Sequence, residues 1–184
     1  MFEVLGIPVY YADAEAKKIM NTDAALKKDL VQLFGDNTYT PEGTLNRSFM
    51  AGLVFNNPEK LAQLNAIVHP VVKRKGEEWM AQQTAPFAIH EAALIFEAGV
   101  AERLDFVIGV SAPLSLRLKR TMDRDGSPRE DILKRMNQQI TESVKMKLCD
   151  AVIINDEQEA LIPQVLLLYK TLTEKAAAGY AGTP

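Results

Sequence analysis

Arginines are concentrated in one stretch of the sequence, LRLKRTMDRDGSPRED, over residues 116–131. Within it Arg117, Arg120 and Arg124 recur at spacings of three and four, so a helix would place them on one face. The planar guanidinium group suits phosphate oxygens and the charge that spreads over a phosphoryl group during its transfer. The alternative is a solvated face whose arginines pair with neighbouring acids such as Asp123 and Asp125. The stretch therefore predicts either a phosphate-binding face or a charged surface.

Three polar side chains follow segments of strand type. Asp13 ends the first such segment, and a carboxylate there could accept a proton from a substrate hydroxyl or simply cap the helix that follows. Glu91 follows the second segment and could hold Mg²⁺ through water, or belong to a solvated loop. Asn155 follows the last segment, where it could border a purine or form a turn. In open α/β sheets ligands bind beyond the carboxyl ends of the strands, which favours a shared site.

The remaining candidate ligand-binding residues are two polar side chains beside apolar helical stripes and one largely apolar run. Arg47 follows EGTLN and His69 lies in LNAIVHPVV, each beside an apolar helical stripe. A surface cation and a buried or capping histidine are the alternatives for these two positions. Leu94, Phe96 and Glu97 lie in the run HEAALIFEAG, where they predict an apolar wall with an acid behind it, or a loop with one hydrophobic plug.

The elements that must position these residues alternate between strand and helix patterns, which predicts a parallel sheet covered by helices. Residues 2–6 resemble the last turn of a helix, and residues 179–184 a frayed tail. Asn57 is the expected N-cap of the helix that begins at Pro58, and Pro70 is expected to break or kink it. Strands are predicted over residues 7–11, 87–90, 106–111 and 151–155, and helices over 14–20, 24–34, 47–55, 58–83, 114–124, 129–142 and 161–177.

Composition narrows the functional classes. The chain has 184 residues, 47% of them apolar, with a formal charge of −3. This charge gives no general attraction to nucleic acid or anionic lipid, and no apolar run reaches membrane-spanning length. One cysteine, Cys149, favours a reducing compartment, and two histidines make a histidine metal centre unexpected. We therefore expect a cytoplasmic protein, monomeric or weakly homo-oligomeric, without a dedicated metal site.

The order of these segments resembles the dephospho-coenzyme A kinase family over residues 5–175. That family transfers the γ-phosphoryl group of ATP, with Mg²⁺, to the 3′-hydroxyl of dephospho-coenzyme A, the last step of coenzyme A synthesis. The resemblance implies a P-loop-kinase-like α/β fold of three layers, a parallel sheet with helices on both faces. The motifs that carry it are GIPVYYAD, EGTLNR, LNAIVHPVV, LIFE, LKRTMDRD with PRE and RMNQQ, and VIIND.

The resemblance also implies a single kinase-like domain and a role for each matching residue. Its parts would be a core of residues 1–35, 85–112 and 148–178, a helical substrate region of 36–84 and a helical lid of 113–147. Asp13 would activate the ribose hydroxyl, and Asn155 would lie beside the adenine of ATP. The expected substrate-binding residues are Arg47, His69, Lys73, Leu94, Phe96 and Glu97, and the expected lid cations near the phosphates are Arg120, Arg124 and Arg129.

Two departures from the family pattern bear on activity. Tyr11 stands where the family usually has a second aspartate. No G-x-x-x-x-G-K-[ST] occurs in the 184 residues, so the phosphate-binding loop and the central strand before it are absent from this chain. Little kinase activity is therefore expected of these residues alone. Another small-molecule kinase of the P-loop type, or a non-catalytic module that binds coenzyme A-like nucleotides, are the alternative functions.

Overall fold

The computed structural model describes residues 1–54 and 57–179. The chain forms two compact units, one of residues 8–92 and one built from residues 1–7 and the chain from residue 93 onward. The predicted frayed tail lies outside the described residues, apart from Gly179, and so does Phe55 at the end of one predicted helix. Within the described ranges, no helix combines the length and the apolar character that crossing a membrane requires.

The 8–92 unit has two strands joined through four helices. The strands run parallel, with Val9 opposite Ile89 and Tyr11 opposite Glu91. A parallel pair needs a crossover connection, which the helices provide. The elements are β1 (Val9–Tyr11), α1 (Ala12–Thr22), α2 (Ala24–Phe34), α3 (Arg47–Val54), α4 (Pro58–Ala81) and β2 (Ile89–Glu91).

Helix α2 provides the centre of this unit's core. Leu26, Leu30 and Phe34 recur every four residues, so they share one face, and Leu30 is completely buried. The Asp23 carboxylate accepts a hydrogen bond from the Leu26 N–H at 3.0 Å and so caps the helix at its start. The buried residues of the cluster are Ile19, Leu26, Leu30, Phe34, Met50 and Val68.

Helix α4 is continuous across Pro70, so of the predicted break or kink the break is wrong. The Asn57 side chain caps its start by accepting from the Lys60 N–H at 3.0 Å, as predicted. Proline removes one backbone donor, but 24 residues of helix packed against α1, α2 and α3 retain the remaining bonds. Near its end, Gly76 admits the Tyr10 ring, whose Cε1 would lie 3.4 Å from a Cβ at that position.

The second unit contains the other parallel strand pair. Ile108 lies opposite Ala151 and Ser111 opposite Ile154, which confirms the predicted parallel arrangement. Residues Phe2–Leu5 form a short 3-10 turn that ends at Gly6 with φ of 80°, as the predicted final helical turn requires. The elements are β3 (Ile108–Ser111), α5 (Leu114–Asp125), α6 (Arg129–Met136), α7 (Glu142–Lys147), β4 (Ala151–Ile154) and α8 (Leu161–Ala177).

Two expectations for this unit are wrong. The predicted helix over 129–142 ends at Met136, and the separate helix α7 begins only at Glu142. Between the two, the Ile140 N–H donates to the Glu97 carboxylate at 3.2 Å and not to a helical carbonyl. The last strand, which we expected to be buried, is also only partly so. Ile153 is 6% exposed, whereas Val110 is 56% and Val152 37% exposed. Within residues 1–54 and 57–179 each strand pairs on one side only, so both are edge strands there and keep part of their surface open.

Candidate functional site

The EGTLNR motif forms a loop that is fastened from helices α1 and α2. Lys27 donates a 2.7 Å hydrogen bond to the carbonyl of Gly43, which has a φ of 77° that favours glycine. The Asn21 side chain accepts from the Leu45 N–H at 2.7 Å. Lys27 also lies 4.7 Å above the Tyr39 ring, and burial raises the pKa of the Tyr39 hydroxyl to about 12. Most of the motif therefore has a structural role.

Arg47 is the residue of this motif that remains available for a ligand. Asn46 accepts from the Phe49 N–H at 3.2 Å and thereby holds the start of α3. Arg47 is the first residue of that helix and is exposed. The loop thus fixes the backbone position of Arg47, which could not be predicted from the spacing of residues in the sequence.

Asp13 lies in the first turn of α1 and not at the end of a strand, because β1 already ends at Tyr11. The alternative of an N-cap is wrong as well, since α1 begins after Tyr11 and has no side-chain cap. Asp13 is exposed, and a carboxylate in the first turn interacts favourably with the helix dipole. Glu91 is also exposed and is the register partner of Tyr11, so it ends β2 while Asp13 lies two residues beyond the end of the adjacent parallel strand β1.

His69 and Lys73 occupy one exposed face of α4. They are four residues apart, and exposure of His69 rules out the alternative of a buried histidine. The Lys73 ammonium lies 3.8 Å from the Glu77 carboxylate, a distance typical of a loose surface pair. Convergence of these two residues and Arg47 towards Asp13 remains a prediction.

The Glu97 carboxylate is bound by the protein itself. It lies 3.3 Å from the Lys145 ammonium and accepts from the Ile140 N–H. Burial opposes its ionisation, but bonds from its own backbone N–H, from Lys145 and from Ile140 outweigh that effect and lower the pKa of Glu97. Leu94 is 43% exposed and Phe96 half-buried. Of the three residues in this turn, the two apolar ones therefore remain open to a ligand.

Three arginines of α5 share the predicted spacing but have different partners. Arg117 donates to the Ala112 carbonyl at 3.1 Å and to the Glu142 carboxylate at 2.9 Å, which ties α5 to α7. Arg124 forms a paired contact with Asp125, at 2.7 and 3.1 Å, and this pair raises its pKa. Its side chain is 75% exposed, as the solvated-face alternative predicted for it.

Arg120 and Asn155, predicted separately to bind ATP, are in direct contact. The Arg120 guanidinium donates to the Asn155 carbonyl at 3.1 Å and to the Asn155 side-chain oxygen at 3.2 Å. It also donates to the Glu157 carboxylate at 3.2 Å. This contact places a cation at the carboxyl end of β4, the end at which α/β sheets bind ligands.

Arg129 begins α6 and lines a shallow groove of about 300 Å³ between α5 and α6. The same groove is bordered by Ser115, Lys119 and Asp123. Among the residues that the structure describes, no cluster of three or more His, Cys, Asp or Glu side chains is placed to hold a metal ion. A Mg²⁺ ion would therefore need substrate phosphates and water as most of its ligands.

Sequence reasoning missed the residues that act on other side chains. Glu157 on Arg120, Glu142 on Arg117 and Lys145 on Glu97 are each separated by 25 to 48 positions from their partners. It also missed a groove of about 390 Å³ in the 8–92 unit, where Tyr10 and Trp79 lie with ring centroids 5.3 Å apart. For the pair of Glu157 and Arg120, the only signal in the sequence is the high density of charged residues in 116–131 and 155–159.

Known proteins similar to this chain share one description. The family model for dephospho-CoA kinase matches residues 1–160. A dephospho-CoA kinase from Bacteroides fragilis is 36% identical over 176 residues, covering 95% of this chain and 85% of that protein. One from Porphyromonas gingivalis is 33% identical, with 93% and 85% covered.

Solved structures agree with these sequence matches. The crystal structure of TT1252 from Thermus thermophilus has a TM-score of 0.79 and 34% identity, covering 94% of this chain and 87% of that one. The dephospho-CoA kinase from Campylobacter jejuni has a TM-score of 0.64 at 29% identity, covering 96% and 89%. On this sequence similarity and shared α/β fold, the chain belongs to the dephospho-CoA kinase family.

Proposed function

We propose that this chain serves the ATP-dependent phosphorylation of the ribose 3′-hydroxyl of dephospho-coenzyme A. The observation that carries this proposal is the Arg120 guanidinium held on Asn155 at the carboxyl end of β4. Such an arrangement offers a fixed positive charge and an amide where a nucleotide binds in this class of sheet. Family membership adds the acceptor and the reaction type.

The acceptor side is assigned in the first place to residues of the 8–92 unit. Asp13 is exposed beyond β1 and would accept the proton of the attacking hydroxyl. Arg47, His69 and Lys73 are exposed cations or polar groups that suit the phosphates and ribose of the acceptor. In the other unit, Leu94 and Phe96 are proposed as substrate-binding residues because they keep apolar surface open to a ligand, whereas Glu97 is assigned an anchoring role because its carboxylate is already bound.

The donor side is assigned to Arg124 and Arg129, which are exposed at the end of α5 and the start of α6. Guanidinium groups in these positions would offset charge on the transferring phosphoryl group. Mg²⁺, bound with ATP, would supply further charge neutralisation, and Asp13 in the first turn of α1 and Glu91 at the end of β2 are the carboxylates that could bind it through water. We place the reaction in the cytoplasm and expect a monomer or a weak homo-oligomer.

The rate expected of these 184 residues alone is low. No segment of the sequence has the G-x-x-x-x-G-K-[ST] pattern whose N–H groups and lysine cradle the phosphates. Removal of even one preorganised donor costs about 2.7–4 kcal/mol in well-studied sites. We therefore expect turnover far below the typical kinase range of about 1–100 s⁻¹, together with measurable binding of dephospho-coenzyme A.

An ADP-release assay with dephospho-coenzyme A, alongside shikimate and nucleoside monophosphates as other acceptors, tests this proposal. It is run on the 184-residue chain and on the same chain preceded by a strand and phosphate loop. In the extended chain, Asp13→Asn should lower the rate by about 10²–10⁴ if Asp13 is the general base, while the exposed control Asp29→Asn should leave it unchanged. Preference for another acceptor, or tight binding of dephospho-coenzyme A without turnover in the extended chain, would contradict the assignment.

A further inference from the structure

Glu157 has an unusual backbone conformation. It is the only non-glycine residue with a positive φ, 71°, in the described part of the chain. The left-handed region is unfavourable for a residue that has a Cβ, so such a conformation persists only where the surroundings impose it. A glycine at this position would adopt it freely. The question is what the Glu157 side chain contributes.

The turn that contains Glu157 is fastened on both sides. The Asp156 side chain accepts hydrogen bonds from the N–H groups of Gln158 and Glu159, each at 2.9 Å. Upstream, the Gln164 side chain accepts from the Ile154 N–H at 2.8 Å and donates to the Ile154 carbonyl at 3.1 Å. These bonds hold the residues before and after Glu157 and so fix its backbone, and its carboxylate lies 3.2 Å from Arg120.

The contact with Arg120 determines what Asn155 can offer. A guanidinium group has only donors, so the Asn155 side chain must turn its oxygen towards Arg120. The Asn155 carbonyl accepts from Arg120 as well, and its N–H donates to the Ser111 carbonyl at 2.8 Å. The side-chain NH₂ group is the polar group of Asn155 that remains, and it can only donate.

We propose that Glu157 is a positioning residue that holds Arg120 against Asn155, so that the Asn155 NH₂ group donates to an acceptor nitrogen of the purine. This inference rests on the proposed function and deepens it. It assigns Arg120 to the base side of the nucleotide, in place of the phosphate contact that the family resemblance implies. Arg124 and Arg129 remain the candidates for the phosphates.

Binding of adenosine and of inorganic tripolyphosphate to the 184-residue chain, measured separately by ligand-observed NMR titration, tests this inference. Glu157→Gln should weaken adenosine binding about twofold to fivefold, the range expected for an ion pair with side chains 38% and 66% exposed. Binding of tripolyphosphate should not change. Glu157→Asp should recover part of the loss, and the neighbouring Glu159→Gln should have no effect.

Glu157→Gly separates positioning from a structural role. Glycine relieves the positive φ, so the thermal midpoint should stay or rise while adenosine binding weakens as in Glu157→Gln. Equal weakening of adenosine and tripolyphosphate would overturn the inference, since Arg120 would then serve the phosphates. If adenosine affinity is unchanged in both Glu157→Gln and Glu157→Gly, the positioning role of Glu157 is refuted but the proposed function is not. If the unmodified chain does not bind adenosine, both the positioning role and the proposed function are refuted.

Discussion

Removal of the Glu97 charge should destabilise the fold more than it disturbs substrate binding. Glu97 and Lys145 lie 3.3 Å apart, with side chains 20% and 17% exposed. Exposed ion pairs contribute about 0.2–1 kcal/mol, and breaking a buried pair costs about 3–5 kcal/mol. This pair is intermediate in exposure, and Glu97→Gln keeps an oxygen that can still accept from the Ile140 N–H. We therefore expect a loss of about 2 kcal/mol, the middle of the range for hydrogen bonds to charged groups.

Urea unfolding followed by far-ultraviolet circular dichroism measures this loss at neutral pH. The matched control is Glu174→Gln, because Glu174 lies 3.9 Å from Lys170 with both side chains about two-thirds exposed or more, at 67% and 74%. That variant should stay within about 0.5 kcal/mol of the unmodified chain. A double-mutant cycle with Lys145→Met should give a coupling energy between Glu97 and Lys145 of about 1 kcal/mol or more.

The pH dependence of the Glu97→Gln effect has a definite sign. The pKa of Glu97 is lowered in the folded state, so folding favours the ionised form. The stabilisation is fully present above the unfolded pKa of about 4.3 and is lost as the pH falls through the folded pKa. The difference between the unmodified chain and Glu97→Gln should therefore shrink below about pH 4. If Glu97→Gln is no less stable than the control but binds dephospho-coenzyme A more weakly, the anchoring role is refuted and Glu97 faces the substrate.

Two further predictions concern packing. Gly109→Ala places a Cβ 2.9 Å from the Cys149 sulfur, so it should lower the free energy of unfolding by about 1–3 kcal/mol. Cys149→Ala in the same chain should recover only part of this loss, because the Met146 sulfur lies closer still, at 2.8 Å from that Cβ. Gly52→Ala, with nothing within 4 Å, should be stabilising by about 0.5–1 kcal/mol. A neutral Gly109→Ala in thermal unfolding would contradict the packing argument. Leu30→Ala should cost about 2–5 kcal/mol because Leu30 is fully buried. The loss can be measured by urea unfolding followed through the fluorescence of Trp79, the one tryptophan of the sequence, which lies in the same unit as Leu30. A loss under about 1 kcal/mol would mean that the core relaxes around the cavity.

The residues of the candidate site could be identified from sequence, but their partners could not. Arg117, Arg120 and Arg124 were expected to act together, since helical spacing places them on one face. In the structure Arg117 ties α5 to α7, Arg120 lies on Asn155, and Arg124 pairs with Asp125. The spacing along a helix determines on which face an arginine lies. The group to which that arginine donates can belong to another segment, as it does for Arg117 and Arg120.

Local signals in the sequence determined the elements whose ends are set by neighbouring residues. Helix α2 spans Ala24–Phe34 as predicted because Asp23 caps its start and Gly35 follows its end, and both effects act within four residues. The parallel pairing of the strands likewise follows from strand and helix patterns that alternate along the chain. The features that only the tertiary structure decided depend on contacts between residues far apart in the sequence. Glu97 accepts from the Ile140 N–H in the segment between α6 and α7, where a continuous helix was predicted, and Glu157 adopts a positive φ beside Arg120. Hydrogen bonds and ion pairs of this kind form between residues tens of positions apart, which folding brings within about 3 Å of each other.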